Sequence, residues 1–190
     1  MKTITTMLPV ALICVFFSCK KRRDKPEGAD LMASRASFAR TFYYPGGGNT
    51  VSTKYSTTAI TAAANILTDG SLSVALKTAY PAGRDNITIV IPAAALKPGY
   101  TGLYPVRISS SPAYYVNYQY RRASGSTADF LPGNTVGTIE LSYKKETKML
   151  GGTFSHTIVS SWDPDKEDPV QPRNTHINLD GRFFLPLVKQ

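Results

Sequence analysis

Apolar and polar residues alternate along most of this chain from about residue 36 onward, and a period of two is the signature of half-buried strands. The clearest run is Thr138-Ile139-Glu140-Leu141-Ser142-Tyr143-Lys144. Ile139, Leu141 and Tyr143 fall on one face of it, and Thr138, Glu140, Ser142 and Lys144 on the other. Leu72, Val74 and Leu76 repeat the pattern, as do Ile87, Ile89 and Ile91. Thr153 to Val159 is rich in β-branched residues and sets Phe154, His156 and Ile158 on one face. Turn signals lie between these runs. Thr68-Asp69-Gly70 suits a tight hairpin, and Lys97-Pro98-Gly99 and Leu131-Pro132-Gly133 mark further turns. Gly151-Gly152, at the entrance to a strand, predicts a bulge or a close backbone approach. Helix competes with strand only in the alanine-rich stretch Thr57 to Leu67, where the Thr-Thr-Ala-Ile-Thr opening and the Asp-Gly beyond favour a strand. The expectation is a single all-β domain over residues 36–190. It would be an antiparallel β-sandwich or partly closed barrel of roughly nine strands.

The first residues follow a different pattern. Lys2 precedes an apolar stretch from Met7 to Phe17, then come Ser18 and Cys19. This reads as a secretory signal peptide over residues 1–18, cut before Cys19. A membrane-spanning helix needs roughly 20 apolar residues; this stretch is shorter, Pro9 interrupts it, and no second hydrophobic segment follows. A cut without lipid fits less well, because the bulky Phe17 departs from the small-x-small pattern. Val15-Phe16-Phe17-Ser18-Cys19 resembles the lipobox of bacterial lipoproteins. That resemblance implies a diacylglycerol on the Cys19 thiol and a membrane as partner. Each buried methylene contributes about 0.8 kcal/mol, so two or more acyl chains hold stably where one does not.

Composition adds an address and removes some chemistry. The 190 residues carry a formal charge of +9. Part of it belongs to a basic, apolar-poor tether over residues 19–35, where Lys20, Lys21, Arg22, Arg23 and Lys25 outnumber Asp24 and Glu27. Beside a bilayer each such charge contributes about 1 kcal/mol against anionic headgroups; the same run also serves as a soluble spacer. The remaining charges do not cluster, so nucleic acid is not an expected partner. In Bacteroidota-type lipoproteins an acidic stretch after the cysteine resembles a surface-export signal. The basic one here points to a periplasm-facing envelope location. On the lipobox resemblance Cys14 would leave with the signal and Cys19 would carry the lipid, so the domain is expected to have no disulfide and its core must suffice.

Candidate chemistry is sparse. His156 and His176 are the only histidines. His156, in phase with Phe154 and Ile158, reads as a partly buried strand residue, and His176 as exposed. A catalytic zinc needs three protein ligands, and no short ligand spacing is present, so neither metal nor cofactor is expected. No Gly-x-Ser-x-Gly elbow occurs, and Ser124-Gly125-Ser126 reads as a polar loop. Glu140 and Asp129 are not paired by any pattern a glycosidase would use. Asp163-Pro164-Asp165-Lys166-Glu167-Asp168-Pro169 offers oxygen ligands at alternate positions for calcium. It lacks the turning glycine, and two prolines make it an extended acidic loop.

Tyr114 to Arg122 is the most suggestive surface stretch. Tyr114, Val116, Tyr118 and Tyr120 share one face of a strand, and Tyr115, Asn117, Gln119 and Arg121 the other. An aromatic ring beside amides and a guanidinium equips a face for sugar or protein recognition. Tyrosine is also a good strand former that tolerates half-burial, so the stretch reads first as core and second as a recognition face; on the second reading Tyr115, Tyr118 and Trp162, the last otherwise a cap over the sandwich end, are the candidate ligand contacts. From about Gly99 to Pro186 the chain also resembles a family of uncharacterised Bacteroidota-type lipoproteins. The resemblance rests on Tyr100-Thr101-Gly102-Leu103-Tyr104, Ala113-Tyr114-Tyr115, Gly137-Thr138-Ile139-Glu140-Leu141, Gly151-Gly152-Thr153-Phe154-Ser155 and Leu179-Asp180-Gly181-Arg182-Phe183. It implies a β-sandwich-like domain in which the Gly-Thr-Phe-Ser and terminal Gly-x-Phe strands are core neighbours. It brings no activity, cofactor or catalytic residue. The functional expectation is a lipid-anchored envelope protein with a non-enzymatic binding module for a glycan, peptide or envelope protein. The competing classes are a cryptic glycoside or ester hydrolase and a scaffold or inhibitor lipoprotein.

Overall fold

The computed structural model describes residues 35–44, 51–79, 83–106, 114–130, 134–161, 164–165 and 175–190. Among them are eleven strands: β1 (Arg35–Tyr44), β2 (Val51–Thr57), β3 (Ile60–Ile66), β4 (Leu72–Thr78), β5 (Asp85–Ile91), β6 (Gly102–Val106), β7 (Tyr115–Arg121), β8 (Thr127–Phe130), β9 (Thr135–Lys144), β10 (Met149–Ser161) and β11 (Thr175–Lys189). The alanine-rich stretch is the end of β2 and all of β3, a strand as its opening residues suggest. Cys19, the tether up to residue 34, Trp162 and most of the acidic loop lie outside the described residues, and Arg35, the last residue assigned to the tether, opens β1.

The strands form one curled, mixed sheet, a half-barrel with two halves. In the first half the order is β2-β1-β11-β10-β9-β6, all antiparallel. In the second it is β3-β4-β5-β7-β8, also antiparallel. The join departs from the all-antiparallel expectation. β11 is 15 residues long; its first part pairs with β1 and β10, and Leu187–Lys189 then runs parallel to Ala64–Ile66 of β3. The strand is long enough to outlast β1 and hand its free edge to β3. Pro105 sits in β6, which among the described residues pairs only with β9 and so spares the ladder a missing donor.

The halves face each other over one core. Arg40 on β1 and His156 on β10 lie in one cross-strand row, both opposite Leu179. Arg40 meets Asp85 at the start of β5, while His156 meets Tyr114 just before β7. Asp85 and the Tyr114 end of β7 lie at opposite ends of a strand pair. Strands of the second half therefore cross those of the first steeply. The core between them takes Leu72, Val74, Leu76, Ile87, Ile89 and Ile91 from one side, and Ile139, Leu141, Phe154, Ile158 and Ile177 from the other. Tyrosines fill the remaining space with a hydroxyl to satisfy. Each finds a partner: Tyr104 accepts from the Lys97 N–H at 3.0 Å, Tyr118 donates to Asp85 at 2.7 Å and Tyr120 to Asp165 at 3.0 Å.

Large rings in a curled sheet need small residues beside them. Phe183 on β11 is paired with Gly152 on β10, and Phe154 on β10 with Gly181 on β11. A Cβ on Gly152 would overlap the Phe183 ring and Leu141; one on Gly181 would overlap the Phe154 ring. The close approach expected at Gly151-Gly152 is thus a side-chain ring over Gly152. The register shift in β10 falls further along, between Ile158 and Ser161. Gly151 points to the outer face, where a Cβ would meet Phe184 at an ordinary 3.4 Å. Adjacent glycines therefore differ in cost. We expect Gly152→Ala to destabilise the fold by about 1–3 kcal/mol through overpacking. Gly151→Ala is expected to be neutral or stabilising by up to about 1 kcal/mol. Urea unfolding of the two variants checks this, and equal midpoints would contradict it.

Candidate functional site

The outer face of the first half carries an open groove of about 910 Å³. Strand alternation builds it in two rows. Arg35, Phe184, Gly151 and Ser142 stand side by side across β1, β11, β10 and β9; one step along, Ser37, Arg182, Thr153 and Glu140 do the same. Thr58 and Ile60, at the corner between β2 and β3, form one wall, and Lys144 lies at the other side. The Lys144 ammonium sits 5.8 Å from the centre of the half-buried Phe184 ring, within cation–π reach. Arg182 Nε donates to Ser37 Oγ at 3.2 Å, which fixes the guanidinium over the groove. The trough continues into a shallower hollow of about 650 Å³ that shares Ser37, Thr58, Thr153 and Arg182 and ends near Ser56 and Asp180.

The aromatic candidates lie elsewhere. Tyr118 is 0% exposed, which corrects its assignment as a ligand contact. It shares the inward face with Tyr114, Val116 and Tyr120, and its hydroxyl is committed to Asp85. Tyr115 is on the opposite face, half-buried, beside the exposed Asn117, Gln119 and Arg121. There Asn86 Nδ2 donates to Gln119 Oε1 and Gln119 Nε2 to Asp129 Oδ1, each at 2.8 Å, a row of amides across three strands. Trp162 is outside the described residues, as is Cys19. Of the acidic loop, the Pro164 carbonyl accepts from Arg122 Nε at 3.0 Å, and Asp165 from Tyr120. Among the described residues no three carboxylates, imidazoles or thiolates gather to hold a metal.

Two buried polar clusters connect the halves. In one, Arg40 Nε lies 3.4 Å from Asp85 Oδ1, and the guanidinium is enclosed by Phe42, Tyr120 and Tyr55 at 4.3, 4.7 and 5.2 Å from the ring centres. Thr78 Oγ1 accepts from the Asp85 N–H at 2.9 Å. Burial pushes the Asp85 carboxyl above its ordinary range, although Arg40 and Tyr118 pull it back. In the other cluster Tyr114 and His156 share a 2.6 Å hydrogen bond, and the imidazole stacks on Phe154. Burial lowers His156 to about 4 and raises Tyr114. His156 is 1% exposed, and His176 is exposed on the opposite face of the sheet. The two histidines therefore share no site.

Sequence reasoning placed Glu140, Ser142 and Lys144 on one polar face, but did not join them to Arg35, Arg182 and Phe184. The alternation of Asp180, Arg182 and Phe184 against Leu179, Phe183 and Leu185 carried that signal. No protein family, curated protein or solved structure matches this chain. The fold and groove define an all-β domain with an open surface trough on its outer face.

The buried imidazole has a pH consequence. Unfolded, His156 takes a proton near pH 6.5; folded, only near 4. The stability it contributes is complete above about pH 6.5 and is lost as pH falls towards 4. Asp85 acts with the opposite sign, contributing below its unfolded pKa and losing that as pH rises through the raised folded value. We expect the His156 contribution to fall by about 2 kcal/mol between pH 7 and pH 5. His156→Gln should flatten urea-derived stability across that window. An unchanged slope in the variant would assign the effect to another group.

Proposed function

We propose that this chain is a lipid-anchored cell-envelope protein. Its β domain acts as a non-enzymatic binding module, holding a polar partner in the outer groove. The observation that carries the binding reading is the lining of that groove. Cations (Arg35, Lys144 and Arg182), hydroxyls (Ser37, Thr58, Ser142 and Thr153) and one aromatic ring (Phe184) converge on an open trough. Those are groups that recognise and orient a ligand. Asp85 and His156, whose proton affinities burial shifts, are spent inside the core.

The carboxylates along the trough speak against hydrolysis of a glycoside. Glu140 and Asp180 are two strands and two residues apart in register. Strand spacings put their backbone positions about 12 Å apart, and Thr153 and Arg182, not a second carboxylate, stand in the cross-strand row with Glu140.

The anchor is supported by the placement of Cys19 after the apolar stretch and by the basic run that follows it. Expressed in a bacterial host with radiolabelled palmitate, the wild-type chain should take up label and partition into the membrane fraction. Cys19→Ser should lose both. Label retained by the variant, or none in the wild type, would overturn the anchor.

A further inference from the structure

We infer that the ligand of the outer groove is an acidic oligosaccharide, a chain of sugars bearing carboxylates; this rests on the reading of the groove as a binding site. Four features point to it together. The first is Gly151. It faces outward, and its missing side chain leaves the space beside the Phe184 ring open, with the ring edge 3.4 Å from where a Cβ would be. A half-buried ring beside an empty position is a platform on which the C–H face of a pyranose stacks.

The second feature is charge. Arg35, Lys144 and Arg182 surround that platform, against Glu140 among the lining carboxylates. Arginine forks match carboxylates in bidentate geometry, and the Ser37 contact holds Arg182 in place. Third, the remaining lining is hydroxyl-bearing: Ser37, Thr58, Ser142 and Thr153 both donate and accept, as sugar hydroxyls require. Fourth is shape. The main groove alone has the size of a site for one small ligand, about 300–1,000 Å³. The hollow that continues it beyond Arg182 extends the path to a length suited to an oligomer. A peptide would look for deeper apolar anchors, and a flat lipid surface would not reach the recessed floor at Gly151.

The test uses the full chain in detergent micelles, with an oligogalacturonate as probe and its methyl-esterified, neutral form as comparator, in titration calorimetry. The acidic oligomer should bind, and the neutral form should bind at least tenfold more weakly. Gly151→Leu should abolish binding, because it fills the space beside Phe184 without changing charge. Arg182→Gln should weaken binding at least tenfold, and Tyr115→Ala should leave it unchanged. A wild-type unfolding midpoint in Gly151→Leu and Arg182→Gln establishes that both are folded. Unimpaired binding by Gly151→Leu would place the polyanion on the basic tether and overturn the inference. Equal binding of the neutral form, still blocked by Gly151→Leu, would keep the groove as a binding site but overturn the acidic class. No binding of either oligomer, or binding only to micelles doped with phosphatidylglycerol, would overturn the inference in favour of another ligand or of a lipid surface. None of these outcomes touches the lipid at Cys19, which its own labelling experiment decides.

Discussion

Rings laid over glycines are the constraint on which this fold depends. A sheet that curls around its own core brings the inward side chains of adjacent strands closer together, and close-packed interiors tolerate little overlap. Phe183 over Gly152 and Phe154 over Gly181 resolve that crowding on the two longest strands, β10 and β11. Those strands form the centre of the first half, and β11 also carries the join to the second. Loss of either glycine would displace a ring from the core and disturb the strand from which β1 and β3 both hang.

The same pair of glycines relates inside to outside. Because strand neighbours point to opposite faces, Gly152 admits a core ring while Gly151 leaves a gap on the surface. The groove is the outer counterpart of the packing solution within. Polar chemistry divides along the same line. The inward charges, Arg40 and Asp85, are enclosed by rings and a threonine and join the two halves. Breaking such a pair from one side costs about 3–5 kcal/mol, a structural role. The outward charges, Arg35, Lys144 and Arg182, are exposed to whatever enters the trough.

The strands of the core were legible because their period is local. Ile139, Leu141 and Tyr143, or Ile87, Ile89 and Ile91, state their own alternation within a few residues. The turn at Thr68-Asp69-Gly70 was legible for a similar reason: Gly70 has a positive φ of 82° and Asp69 Oδ1 accepts from the Ser71 N–H. What the local pattern does not encode is pairing. The parallel contact of β11 with β3 joins residues more than a hundred positions apart, and nothing near Leu187 names Ala64 as its partner. The groove was hidden for the same reason, since Arg35, Gly151 and Phe184 become neighbours only through the register of three strands. Tyr118 shows the complementary limit. Alternation separated its face from that of Tyr115, but the choice of which face turns inward is set by the second half closing over the first.

The central claim is that the outer face of β1, β11, β10 and β9 is where this domain meets its ligand. Amide chemical-shift mapping by NMR, with an acidic oligosaccharide titrated into isotope-labelled protein, tests it most directly. Shifts confined to Ser37, Ser142, Gly151, Thr153, Arg182 and Phe184 are the result the account predicts. Shifts confined to the amide row of Asn86, Gln119 and Asp129 around Tyr115, with the groove residues unmoved, would contradict it.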